Sequence, residues 1–271
     1  MSQFTVAACQ LDSRDDKEDN VRRALSFVDE AASKDADIVA FPEMFPYIGP
    51  KDAFSDVAEE IPGSLTERLA ARAEDYGMYI HAGSMFEPAD DGRVYNTTAL
   101  INPDGDIAAT YRKVHLFDID VPGGVTYQES ERVAAGNEAV VAETALANFG
   151  LSICYDLRFP ELFTTLARNG AEVIFLPAAF TLFTGKDHWE PLLRARAIES
   201  QCYVVAPAQI GEKPKSAQTY GKTMVIDPWG NVIRQASDRE ELITAPIDLD
   251  YVADVRRDLP SLQHKRDDVY F

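Results

Sequence analysis

Apolar residues recur along the chain with two periods, and each period predicts one kind of element. Compact apolar runs rich in Val, Ile and Ala are typical of buried strands, whereas apolar residues three or four positions apart indicate amphipathic helices. We predict strands over residues 4–10, 37–41, 78–85, 94–101, 107–111, 139–143, 147–153, 172–176, 203–208, 222–226, 232–235 and 241–247.

Helices are predicted where the helical period coincides with start and stop signals. Ser64 is expected to cap one helix, Gly77 follows the end of that helix, and Pro160 suits the first turn of another. The predicted helices cover residues 17–33, 65–76, 160–168, 188–200 and 249–256.

Residues 114–137 interrupt this pattern. The segment is rich in Gly, Pro and acidic residues and has weak periodicity, so we predict a long loop of the kind that is usually functional or disordered. Elsewhere, strands alternate with helices in places and form hairpins in others, which predicts mixed α/β sheets. We expect one domain over residues 1–271, with residues 259–271 as its C-terminal tail.

Composition narrows the class of protein. The chain has 271 residues, of which 46% are hydrophobic, enough for a sizeable core. No apolar run approaches the length that spans a bilayer, and the N-terminus lacks the basic region of a secretory signal. We therefore expect a cytoplasmic protein that does not bind membranes.

The charge is strongly acidic. With 45 acidic and 26 basic side chains, the net charge is −19, which disfavours nucleic acid as a partner because phosphate binding needs the opposite sign. The acidic residues are dispersed along the chain. This dispersion is compatible with a high-salt cytoplasm, where screening is strong, and equally with an ordinary acidic cytosolic enzyme.

The three cysteines show no paired spacing, which argues against a disulfide framework. Cys9 and Cys202 lie in apolar runs and are predicted to be packing residues. Cys154 lies between a predicted strand and a predicted helix, where a sharp turn near the positive end of a helix would favour a reactive thiolate. By position alone, a nucleophile and a small buried hydrophobe are equally good interpretations of Cys154.

Two other side chains could supply matching chemistry. Glu43 follows a strand and has apolar neighbours, which suits a general base. Lys113 ends a strand and could stabilise an oxyanion, although a surface lysine is the commoner outcome. A thiol, an acid and a cation are together what amide hydrolysis through a thioester needs.

Metal and nucleotide chemistry find little support in the sequence. No Gly-rich phosphate loop, HExxH or CxxC motif occurs, so we expect no cofactor and no metal. His115, with Asp118 and Asp120, forms only a loose acidic cluster. His115 also leaves open a papain-like Cys–His hydrolase.

Three motifs in order resemble the nitrilase superfamily of carbon–nitrogen hydrolases. They are Phe-Pro-Glu at 41–43, Tyr-Arg-Lys-Val-His-Leu-Phe-Asp at 111–118 and Cys-Tyr-Asp-Leu-Arg-Phe-Pro-Glu at 154–161. The resemblance extends over nearly the whole chain and implies a four-layer αββα sandwich without a cofactor.

The resemblance also implies roles for particular residues. They are Glu43 as general base, Lys113 as the oxyanion-stabilising cation, Cys154 as nucleophile, the backbone N–H of Tyr155 as a second oxyanion donor, and Glu129, rather than Glu131, as a second glutamate that orients the lysine and the substrate.

Assembly is implied by the same resemblance. Family members usually dimerise through helices that include the one after the nucleophile, and the C-terminal tail often takes part. A homodimer or a higher homo-oligomer is therefore expected. Leu162 and Phe163 could belong to such a dimer face or to the chain's own core.

Substrate signals point in two directions. Residues 117–123 and 128–130 are similar to omega-amidases, which hydrolyse 2-oxoglutaramate and 2-oxosuccinamate. Residues 188–204 are similar to deaminated-glutathione amidases. Both resemblances imply a small amide that carries a carboxylate, and the acyl group stays open.

A carboxylate-bearing substrate calls for a cation in the pocket. Arg158 and Lys186 are the candidates, and Phe180 and Thr181 are expected in the pocket wall. A nitrilase or an N-carbamoyl amidohydrolase is the alternative activity. A catalytically silent binding dimer is the non-enzymatic alternative.

Overall fold

The computed structural model describes residues 2–120, 126–213 and 217–270. Its helices are α1 (Lys17–Ser33), α2 (Phe54–Val57), α3 (Ser64–Tyr76), α4 (Pro160–Arg168), α5 (Leu182–Ser200), α6 (Leu249–Asp258) and α7 (Asp267–Tyr270). Its strands are β1 (Gln3–Leu11), β2 (Ile38–Ala40), β3 (Tyr79–His81), β4 (Met85–Pro88), β5 (Val94–Ile101), β6 (Ile107–Arg112), β7 (Asp118–Asp120), β8 (Thr126–Gln128), β9 (Val133–Ala134), β10 (Val141–Glu143), β11 (Asn148–Leu151), β12 (Val173–Phe175), β13 (Tyr203–Ala206), β14 (Ala208–Lys213), β15 (Ala217–Tyr220), β16 (Met224–Ile226), β17 (Val232–Gln235) and β18 (Glu241–Asp248).

Two mixed sheets form the centre of the fold. The larger has ten strands in the order β15-β14-β1-β2-β3-β5-β4, with β18 paired to β1 and with β6 and β9 paired to β5. The other has six strands in the order β10-β11-β12-β13-β16-β17, of which β11, β12 and β13 are parallel neighbours. Strands β7 and β8 form a separate antiparallel pair.

Alternation along β1 shows how the layers arise. Val6 and Ala8 face the other sheet and share a buried cluster with Phe149 of β11. Ala7 and Cys9 face the opposite way, into a cluster with apolar side chains of α1 and α3. Because strand side chains alternate between faces, β1 packs against a sheet on one side and against helices on the other. Cys9 is therefore a packing residue.

Helices α4 and α5 cover the outer face of the six-stranded sheet. Leu162 and Phe163 of α4 and Trp189 of α5 are buried in one cluster with side chains of β11, β12 and β13. Leu162 and Phe163 thus belong to the chain's own core. The layers run helix, sheet, sheet, helix, which confirms the predicted αββα sandwich.

Two helix starts differ from the prediction. Helix α3 is capped by Gly63, whose N–H donates to Thr66 Oγ1 (2.8 Å), and Ser64 is already its first residue. Helix α5 begins at Leu182, well before the predicted start at residue 188. The segment before residue 188 has no apolar period and contains Gly185, so the sequence pattern indicated a loop.

The segment predicted as a long loop contains short strands. Strands β7, β8 and β9 all lie between residues 114 and 137. Strands β7 and β8 pair with each other, whereas β9 pairs with the distant strand β5, and each of the three is too short to show a period of two. Residues 121–123 of the omega-amidase-like motif lie outside the described residues, as does Phe271 of the predicted tail. The tail also contains α7.

Within the described ranges, no helix combines the length and the apolarity that crossing a membrane requires.

Packing between the two sheets is expected to contribute strongly to stability. Phe149 is fully buried, with ring centroids 5.3 Å from Phe175 and 6.2 Å from Phe4. Phe149→Ala should lower the free energy of unfolding by about 3–5 kcal/mol, because it leaves a cavity between the sheets. Phe183→Ala removes the same atoms at a side chain that is 49% exposed, and should cost about 0.5 kcal/mol. Equal losses in urea titrations of the two variants would contradict this account.

Candidate active site

Four of the predicted site residues lie just after the ends of strands. Glu43 follows β2, Lys113 follows β6, Glu129 follows β8 and Cys154 follows β11. All four side chains are buried, with exposed fractions of 2% for Glu43, 2% for Lys113, 6% for Glu129 and 9% for Cys154. Buried charges at strand ends need partners, and these residues supply them for one another.

The ammonium of Lys113 lies between two carboxylates. Its Nζ donates to Glu43 Oε1 (2.9 Å) and to Glu129 Oε1 and Oε2 (3.1 and 2.9 Å). Burial alone would lower the pKa of Lys113, but Glu129 and Glu43 outweigh it and hold that pKa well above its ordinary value. Lys113 is therefore a fixed positive charge in a buried site.

Neighbouring amides fix the two carboxylates. Asn96 Nδ2 donates to Glu43 Oε1 (2.9 Å), and the backbone N–H of Ala179 donates to Glu43 Oε2 (2.8 Å). The backbone N–H of Phe117 donates to Glu129 Oε2 (2.7 Å). Both glutamates are thereby oriented by groups other than Lys113.

Cys154 opens a short 3₁₀ turn, Cys154–Arg158. Its φ of +48° lies in the left-handed region, and its N–H donates to Pro177 O (2.9 Å). A non-glycine residue there costs on the order of 1 kcal/mol and is typical of strand-to-helix turns that expose a nucleophile. Met44, next to Glu43, has a similar φ of +51°.

The surroundings of Cys154 act against the thiolate that its turn was expected to favour. Burial and the nearby charge of Glu43 raise its pKa well above the ordinary value, and Lys113 offsets this only in part. The partial positive charge expected at the start of the turn does not outweigh these two effects on the pKa of Cys154. The thiol therefore needs a base, and Glu43, whose charge acts on the sulfur, is in place to serve.

His115, the alternative base, has a different partner. Its Nδ1 lies 2.7 Å from Asp156 Oδ1, and its ring stacks on Phe159 with centroids 3.7 Å apart. Glu43 and Lys113, rather than His115, are the charged groups that act on Cys154. The geometry thus favours Glu43 over His115 as the base.

The predicted pocket residues lie around the turn of Cys154. The guanidinium of Arg158 lies 5.3 Å from the ring centroid of Phe180 and 5.8 Å from that of Tyr155. Thr181 caps α5, accepting from Thr184 N. Lys186 lies exposed on α5. The structure thus groups Arg158, Phe180 and Tyr155, whereas Thr181 and Lys186 belong to α5.

The choice between the two glutamates after Lys113 is also clear. Glu129 contacts Lys113 directly, whereas Glu131 is exposed and lies 3.6 Å from Lys51. Glu129 is thus the glutamate whose position suits the predicted orienting role.

Sequence reasoning missed several residues that shape the site. Asn96 is a fully buried amide within strand β5, and an amide at a strand position is a signal that could have been used. Asp156 was part of a recognised motif but had no assigned role. The N–H of Ala179 could not have been found from residue types, because it is a backbone group.

Among the described residues, no cluster of three or more His, Cys, Asp or Glu side chains could hold a metal ion. The chemistry of the site is that of a thiol, two carboxylates and an ammonium.

Comparison with known proteins identifies the family. The sequence matches the carbon-nitrogen hydrolase family over residues 5–257. The chain belongs to this family and is a carbon–nitrogen hydrolase, an enzyme of the nitrilase superfamily with amidohydrolase activity.

Its relatives are similar over their full lengths. The chain is 43% identical over 269 residues to the deaminated glutathione amidase of Synechocystis sp., covering 98% of this chain and 99% of that protein. It is 42% identical over 272 residues to the omega-amidase NIT2 of Homo sapiens, covering 100% and 98%.

Solved structures agree with the fold. The C. elegans NitFhit protein superposes with a TM-score of 0.93 at 41% identity, covering 100% of this chain and 67% of that one. Saccharomyces cerevisiae Nit3 superposes with a TM-score of 0.86 at 32% identity, covering 96% and 95%.

Substitution can separate the two candidate bases. Glu43→Gln keeps the size of the side chain but cannot take a proton, so kcat should fall by about 10²–10⁴-fold. His115→Asn removes the imidazole and should retain at least about tenfold more activity than Glu43→Gln. Ammonia release measures both. Near-wild-type turnover by Glu43→Gln together with an inactive His115→Asn would reverse the assignment.

Proposed function

We propose that the protein is an omega-amidase-like amidohydrolase that converts a small carboxylate-bearing amide, such as 2-oxoglutaramate, to the acid and ammonia. The observation that carries this proposal is the buried contact of Lys113 with Glu43 and Glu129, beside the Cys154 thiol. The names of the relatives, omega-amidase and deaminated glutathione amidase, support an amide substrate.

Arg158 supports an anionic substrate. Its guanidinium lies near the rings of Phe180 and Tyr155, and it has no carboxylate partner among the residues that the structure describes. Its one polar side-chain contact there is His188 Nδ1, at 3.4 Å. An arginine that keeps free donors at the end of the turn that begins at Cys154 suits a planar carboxylate.

The first half of the reaction forms a thioester. Glu43 takes the proton of Cys154, and the sulfur attacks the amide carbon. The Lys113 ammonium and the N–H of Tyr155 stabilise the resulting oxyanion. Collapse breaks the C–N bond, and the nitrogen takes the proton from Glu43 and leaves as ammonia.

The second half releases the acid. Glu43 takes a proton from water while the water oxygen attacks the thioester carbon, and the same two donors hold the second oxyanion. Collapse breaks the C–S bond, and the sulfur regains its proton from Glu43. Glu129 acts through Lys113, which it orients with both of its carboxylate oxygens.

Other features stay predictions from the sequence. They are a single domain over residues 1–271 with residues 259–271 as tail, a homodimer or higher homo-oligomer, a cytoplasmic location, a pocket role for Thr181, and adaptation of the acidic surface to high salt.

Ammonia release from a panel of compounds tests the proposed reaction. We expect 2-oxo-acid amides to be hydrolysed faster than N-carbamoyl compounds or nitriles, and Cys154→Ala to reduce the rate by about 10³-fold or more. Preference for a nitrile would indicate a nitrilase. No turnover on any compound, with no acyl adduct on Cys154 by mass spectrometry, would indicate a binding protein.

Arg158 can be tested with two substrates. Arg158→Gln should raise KM for a 2-oxo-acid amide by about 10–100-fold, because a charge-assisted contact is lost. KM for a neutral amide of similar length should change by less than about twofold. Arg234→Gln, at an exposed arginine that bonds its neighbouring carbonyl, is the control. Equal effects on both substrates would exclude a carboxylate contact.

A further inference from the structure

Asp156 accepts hydrogen bonds from the chain segment that carries Lys113 and from the segment that carries Cys154. Its side chain is fully buried in the turn that begins at Cys154. Oδ2 accepts from Tyr111 Oη (2.7 Å) and from Ile153 N (2.8 Å). Oδ1 accepts from the backbone N of His115 (3.1 Å) and faces its Nδ1 (2.7 Å).

The residues that donate to Asp156 lie close to Lys113 and Cys154 in the sequence. Tyr111 and His115 each lie two residues from Lys113, one on either side, and Ile153 directly precedes Cys154. One carboxylate therefore binds the segment that carries the ammonium and the segment that carries the sulfur. These segments follow strands of different sheets, β6 in the larger sheet and β11 in the smaller.

The backbone of Lys113 is fixed to its own side of the molecule. Its N–H donates to Asn96 O (2.9 Å), and its carbonyl accepts from Gly136 N (2.8 Å). These bonds hold Lys113 relative to the larger sheet but say nothing of its distance from Cys154. The hydrogen bonds of Asp156 connect the segment of Lys113 with the segment of Cys154.

We propose that Asp156 is a positioning residue that sets the distance between the Lys113 ammonium and the Cys154 sulfur. The proposal rests on the proposed function, in which Lys113 stabilises the oxyanion formed at Cys154. It assigns to Asp156 no contact with the substrate.

The chemistry of the cluster calls for a carboxylate. Four donors converge on the two oxygens, and a carboxylate accepts at both, whereas an asparagine would turn its own NH₂ toward two of these donors. Burial and the charge of Asp156 raise the pKa of Tyr111, so its phenol keeps the proton that it donates.

Loosening this contact has a specific consequence. Lys113 lowers the pKa of Cys154 through its charge, while Glu43 raises it; Tyr127 is a third titratable group coupled to the sulfur. If Lys113 moves away, its lowering effect weakens and the pKa of Cys154 rises further. The oxyanion is also less well stabilised, which lowers kcat while leaving substrate binding unchanged.

Tyr111→Phe tests the proposal with a matched control. Tyr111 and Tyr203 are both buried, and each phenol accepts one backbone N–H, from Val114 and Asp248 respectively. Tyr111 in addition donates to Asp156. Tyr111→Phe should lower kcat for a 2-oxo-acid amide by about tenfold with KM within about twofold, and Tyr203→Phe should change neither.

A second measurement needs no substrate. Alkylation of Cys154 by iodoacetamide, followed by mass spectrometry across pH, should shift to higher pH in Tyr111→Phe and not in Tyr203→Phe. Asp156→Asn should shift it in the same direction. The positioning role is wrong if wild type hydrolyses the amide and both Tyr→Phe variants have the kcat and the alkylation profile of wild type. It is also wrong if the two variants show equal reductions in kcat and equal shifts in alkylation. If ammonia release by wild type or by Cys154→Ala contradicts the proposed reaction, the alkylation profiles of the Tyr→Phe variants still decide the role of Asp156.

Discussion

The structure depends on one buried cation between two buried carboxylates. Transferring such charges out of water is costly, and the mutual contacts of Lys113, Glu43 and Glu129 compensate only when the remaining oxygens are also bonded. Asn96, Ala179 and Phe117 meet this requirement. The hydrogen bond from Ala179 to Glu43 also connects a segment that follows β12 with a segment that follows β2. The packing between the two sheets therefore affects the geometry of the site.

The sequence predicted much of the fold, because local signals were consistent with the packed structure. Residues 17–33 and 160–168 are helices with the predicted bounds. The start of α5 was missed because it is set by a cap at Thr181 and by packing against the sheet, not by a periodic apolar face. The short strands between residues 114 and 137 were missed because each has only two or three residues, which leaves no periodic signal.

For the site, the sequence predicted which residues take part but not how they are arranged. Motif order identified Glu43, Lys113 and Cys154 as candidates, and their convergence is visible only in three dimensions. The turn was expected to favour a thiolate, but a spacing rule does not include the burial of the sulfur or the charge of Glu43, both of which raise the pKa of Cys154. Hydrogen bonds from backbone groups, such as that of Ala179, carry no signature in residue type.

The raised pKa of Cys154 also bears on the durability of the enzyme. Peroxides and electrophiles react with thiolates, and a buried sulfur that keeps its proton offers them little of that form. The raised pKa of Cys154 therefore limits the fraction of the sulfur that such reagents can attack.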